Sequence, residues 1–140
     1  MSALHIRQGE PRPSDAEVGR FGIGRISARA AFQEHVTDGA LLVDIRPEEV
    51  RAAYGEIAPW MAPLVIGTDL LERLLDPRSE TRIPRASYDL RVIVLGQEGY
   101  TSALAAHSLQ QLGVVRATDV SGGFVEWLAA GLPIIGPRPI

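Results

Sequence analysis

The sequence predicts an α/β fold built on a central, mainly parallel sheet, and three observations carry that expectation. Short apolar runs such as "ALLVDI" and "VIVL" are bounded by polar or glycine-containing turns, the pattern of strands buried on both faces. Between them lie segments with apolar residues at helical spacing, so strand and helix alternate along the chain. These connecting segments are long enough for the crossovers that parallel neighbours require. A sheet of about five strands covered by helices on both faces fits the pattern.

Residues 1–24 read as an N-terminal arm rich in Pro and Gly, and residues 25–140 as the domain. Ordering such an arm costs about 1–2 kcal/mol per fixed residue. Its apolar side chains Leu4, Ile6, Val18, Phe21 and Ile23 are therefore expected to pack on the domain or on a second copy. Ser27 offers an N-cap to "ARAAFQEHVTD", where Ala28, Ala31, Phe32 and His35 share a face and Gly39 supplies the left-handed stop. "ALLVDIR" is a strand. Pro47, at the first helical position, opens a helix with Glu48 and Glu49 in its first turn, and Gly55 ends it.

"PLVIG" reads as a further buried strand, and "TDLLERLLDP" as a helix capped by Thr68 or Asp69 and closed by Pro77. After the polar loop "RSETRIPRASYD", Val92–Leu95 form a strand that breaks at Gly96. A helix follows from about Thr101 or Ser102, with an apolar stripe at Ala105, Leu109 and Leu112 and a stop at Gly113. "VVRATDV" is the next strand. "SGGFVEWLAAGLP" gives a glycine turn and a short helix whose Phe124, Trp127 and Leu128 are expected in the core.

A net charge of −3 with scattered arginines excludes a basic nucleic-acid footprint. No apolar run approaches the roughly 20 residues that span a bilayer, and no signal-peptide core is visible, so a cytoplasmic location is expected. All fourteen basic residues are arginine, which suggests a bacterial genome rich in G and C. The chain has no cysteine, which removes disulfides, thiolate metal sites and thiol chemistry together. His5, His35 and His107 are dispersed, so neither a metal nor another cofactor is expected.

Three stretches, "LLVDIRPEEVRAAYGEI", "RVIVLGQEGYTSALAAHSLQQLG" and "ATDVSGGFVEWLAAGLPI", stand in order behind a leading helix. Together they resemble the rhodanese-like family of sulfurtransferase domains over residues 25–135. Asp44, Arg46, Glu49, Gly55 and Ile57 match that family's Val-Asp-x-Arg strand end, acidic helix and Gly-His-Ile, with Glu56 standing where histidine is usual. Gly122, Gly123, Trp127, Gly131 and Pro133 match its closing motif, while "APWMAPLVIG" departs from its usual Pro-Gly-Ala. The resemblance implies a three-layer sandwich with the parallel sheet in the middle.

The resemblance also explains the loop Gly96, Gln97, Glu98, Gly99, Tyr100, Thr101 and Ser102. Family members carry Cys-x-x-Gly-x-Arg before a Ser-Ala helix start. Here Gly96 stands at the cysteine, Gly99 at the glycine, Thr101 at the arginine and Ser102-Ala103 at the helix start. The family's thiosulfate sulfurtransferase chemistry passes sulfur through a persulfide on that cysteine, and glycine has no side chain to hold it.

Ser102 is expected to cap the helix rather than act as a nucleophile, since His107 falls on a different face. Asp44 and Arg46 are expected to pair and hold neighbouring loops. Trp60 and Met61 mark an expected partner surface near the cleft mouth. The favoured function is a non-catalytic binding or regulatory module with a protein partner, a second copy included. The alternative is an enzyme or small-anion binder using residues 96–102, against which Glu98 and the missing arginine count.

Overall fold

Residues 24–139 are described by the structure, a computed structural model. The arm's residues 1–23, with Leu4, Ile6, Val18, Phe21 and Ile23, lie outside the described residues. The elements run α1 (Ala28–Asp38), β1 (Leu41–Asp44), α2 (Glu48–Tyr54), β2 (Glu56–Ile57), a 3-10 turn (Pro59–Met61), β3 (Leu64–Val65), α3 (Thr68–Leu75), β4 (Val92–Leu95), α4 (Tyr100–Gln111), β5 (Thr118–Asp119), α5 (Gly123–Ala129) and β6 (Ile134–Ile135).

Four strands form a parallel sheet in the order β3-β1-β4-β5. Beyond β5, Ile26 adds one parallel bridge to Val120, and β2 and β6 pair separately in antiparallel fashion. Because side chains alternate along a strand, Leu41, Val43, Val92 and Val94 enter one core with Leu71 and Leu75 of α3 and Ala105 and Leu109 of α4. Leu42, Ile93 and Leu95 enter the other, with Ala28 and Ala31 of α1 and Phe124 and Trp127 of α5. The result is three layers with helices on both faces.

Both ends of α1 follow local chemistry. The Ala30 N–H donates to Ser27 Oγ at 3.1 Å, and Gly39 closes α1 at φ +74°. Other expectations need correction. Pro47 is the extended residue before α2 rather than its first helical residue. Neither Thr68 nor Asp69 caps α3; Gly67 stands at the cap and Thr68 is already helical. The "PLVIG" strand is a two-residue edge strand with Leu64 half-buried and Val65 exposed, because it is the outermost strand. Leu128 is exposed: at 100° per residue the buried Gly123, Phe124 and Trp127 centre the inner face of α5 away from it. Among the described residues no helix is long and apolar enough to cross a membrane.

Candidate functional site

At Gly96 the chain leaves β4 at the carboxyl end of the sheet, where parallel α/β sheets bind ligands. The loop is held from behind by α5, whose Phe124 and Val125 N–H groups donate to the Gly96 and Gln97 carbonyls at 2.9 and 3.1 Å. That contact requires glycine at 123: φ is +58°, and a Cβ there would lie 2.5 Å from the Gly96 carbonyl oxygen. Position 96 itself is permissive. The atoms nearest a Cβ on Gly96 all belong to Ser102, its Cβ at 3.4 Å and its backbone nitrogen at 3.5 Å, so a side chain here would face the first turn of α4.

Ser102 does not cap α4, which has Gly99 at its cap and no side-chain capping bond. Its fully buried hydroxyl instead donates to Asp119 Oδ2 at 2.8 Å. Arg25 donates to the same carboxylate through Nε and Nη2 at 3.1 and 3.0 Å, and its Nη2 also reaches the Gly99 carbonyl. A hydroxyl without exposed surface cannot meet a substrate. Asp119 and Arg25 went unnoticed in the sequence, although a charged residue closing an apolar strand, as Asp44 does, was the available signal.

Arg46 fixes the other side of the loop. Its Nε donates to Asp44 Oδ1 at 3.0 Å and its Nη2 to Asp44 Oδ2 at 2.9 Å. Further bonds run to the Gly55 carbonyl and to Gln97 Oε1, each at 3.0 Å. The guanidinium lies 4.0 Å from the centre of the Phe124 ring. One paired, buried cation thus joins the ends of β1 and α2, the loop and α5.

In front of the loop is a cleft of about 250 Å³ lined by Ile45, Arg46, Val50, Gly96, Gln97 and Thr101. A second, of about 210 Å³, lies between α3 and α4 and shares Thr68 and Thr101 with it. Among the described residues no cluster of His, Asp and Glu could hold a metal ion.

The family model for the rhodanese-like domain matches residues 28–130. The chain belongs to the rhodanese-like family. A sulfurtransferase of Allochromatium vinosum is 34% identical over 102 residues, covering 73% of this chain and 84% of that protein. A solved structure from Rhodopseudomonas palustris, of a protein of unknown function described as a possible tyrosine phosphatase, matches with TM-score 0.72 and 26% identity over 93% of this chain and 99% of that one. The polysulfide-sulfur transferase homodimer of Wolinella succinogenes shares the fold at TM-score 0.65 and 22% identity, covering 86% of this chain and 85% of that one.

Two departures from the rhodanese-like motifs are now placed. Glu56, where histidine is usual, bonds to Arg51 at 2.9 Å and Arg138 at 2.6 Å. Burial pushes its carboxyl up, and the two guanidinium groups outweigh that and hold it below the usual carboxylate range. The expected Trp60–Met61 surface is corrected on two counts. Met61 is buried in the core beside α1, leaving only Trp60 exposed, at 65%. The turn also lies away from the loop: His35 contacts the Ala40 carbonyl through Nδ1 and the Met61 carbonyl through Nε2, which places Met61 where β1 begins. The loop is at the opposite end, where the strands finish.

Proposed function

We propose that this rhodanese-like domain has lost sulfur-transfer chemistry and works as a binding or regulatory module. The reading rests above all on position 96, where a glycine occupies the point that faces the first turn of α4. A persulfide needs a thiolate, and the sequence contains no cysteine. Ser102 is buried against Asp119, so it offers no replacement nucleophile. The glycine-dependent contacts behind the loop persist without the nucleophile, which supports a retained surface rather than a retained reaction.

The test pairs two measurements on the purified protein: thiocyanate formation from thiosulfate and cyanide, and calorimetric titration with thiosulfate. The expected result is no turnover and no saturable heat. Turnover that co-purifies with the protein would overturn the reading, and stoichiometric thiosulfate binding would favour a small-anion binder.

A further inference from the structure

The charge of the groove in front of the loop points to a class of partner. The cleft beside Gly96 and the cleft between α3 and α4 meet at Thr68 and Thr101. From Thr101 to Ser108 the second runs about 10 Å along α4 at 1.5 Å per residue, the reach of about three residues of extended chain. Ile45, Val50, Leu71 and Leu104 give the joined groove apolar walls, and threonine and serine hydroxyls line its length.

Two charged residues line it, Arg46 and Glu72. The charge of Arg46 is buried and met by Asp44. Glu72 is exposed and has no ion-pair partner among the described residues. A groove with apolar walls whose exposed charge is the Glu72 carboxylate disfavours small anions and complements a cationic side chain.

Resting on the reading of this chain as a binding module, we propose that the joined clefts seat an extended, cationic segment of a partner protein. An apolar side chain of that segment fills the cleft beside Gly96, and a Lys or Arg lies against Glu72. The Glu72 contact is solvent-exposed, so the complex is salt-sensitive.

The experiment measures fluorescence anisotropy of a labelled peptide of alternating Leu and Arg, and of its counterpart with Glu for Arg, on the purified protein at low and high salt. The Leu–Arg peptide is expected to bind and the Leu–Glu peptide not to. Glu72→Gln should weaken binding at least about threefold and Glu72→Arg more than about tenfold, the size of an interfacial charge contact. Thr101→Tyr, filling the junction from an exposed position, should abolish it while the thermal unfolding curve stays in place. Equal binding of both peptides, preference for the Leu–Glu peptide, no binding of either, or indifference to both Glu72 changes and to Thr101→Tyr would overturn the assignment. Thiocyanate formation is followed on the same samples: turnover there refutes the module reading, whereas absent turnover with absent peptide binding refutes only the groove.

Discussion

The buried hydroxyl of Ser102 donates to the Asp119 carboxylate at 2.8 Å, joining the first turn of α4 to the end of β5 across 17 positions of sequence. Arg25 grips the same carboxylate with two N–H groups. Ser102→Ala leaves Asp119 its guanidinium partner and is expected to cost about 1–2 kcal/mol. Asp119→Ala leaves the buried Ser102 hydroxyl without its acceptor and takes the carboxylate from Arg25, which keeps its bond to the Gly99 carbonyl, and is expected to cost more, about 3–5 kcal/mol. Urea unfolding checks the order; equal losses would show that Asp119 is not the hub.

The three glycines at positions 39, 96 and 123 should respond differently to alanine. Gly96→Ala meets ordinary contacts with Ser102 and should change stability by less than about 0.5–1 kcal/mol. Gly39→Ala has open space but φ +74°, a cost of about 1–2 kcal/mol. Gly123→Ala adds to a φ of +58° a Cβ 2.5 Å from the Gly96 carbonyl oxygen, so it should exceed both. Thermal unfolding of the three variants gives the ranking directly.

Gly96→Cys is expected to fold like the parent, with its thiol facing the amides of α4. Sulfur transfer should stay low, because Thr101 supplies no cation and Glu98 places a carboxylate in the loop. Adding Thr101→Arg should raise kcat/KM with thiosulfate above that of the single variant. Robust turnover from Gly96→Cys alone would contradict this account of the loop.

Acid should destabilise the domain through Glu34 and Glu56. A hydrogen bond from Arg91 at 2.8 Å outweighs burial and lowers the Glu34 carboxyl, as Arg51 and Arg138 do for Glu56. A carboxyl held lower in the folded state gives stability that is present above its ordinary value of 4.5 and lost as pH falls through the folded value. Urea midpoints should therefore fall increasingly below about pH 4.5, and Glu34→Gln with Glu56→Gln should flatten that limb. An acid limb unchanged in the double variant would rule these two groups out.

What was legible in the sequence was what neighbouring residues decide. Ser27 and Gly39 frame α1 by local hydrogen bonding and backbone preference, and the runs Leu41–Asp44 and Val92–Leu95 are strands buried on both faces. What was not legible depends on distant partners. Ser102 has the composition of a cap, and only the arrival of Asp119 turns it inward. Trp60 and Met61 are adjacent and similarly apolar, yet the turn into Ala62 at φ +50° leaves one in solvent and the other in the core. The edge position of β3 follows from strand order, which a sequence pattern does not specify.

The α5 amides that grip the Gly96 and Gln97 carbonyls hold the loop through its backbone, so its shape is encoded at positions 122–125 rather than at 96. Selection for folding is therefore nearly blind to which small residue occupies position 96. Glycine and cysteine codons can be interconverted by a single nucleotide change, and the room for a Cβ at position 96 means that such an exchange is not opposed by the packing around it. Chemistry and architecture here are free to evolve at different rates.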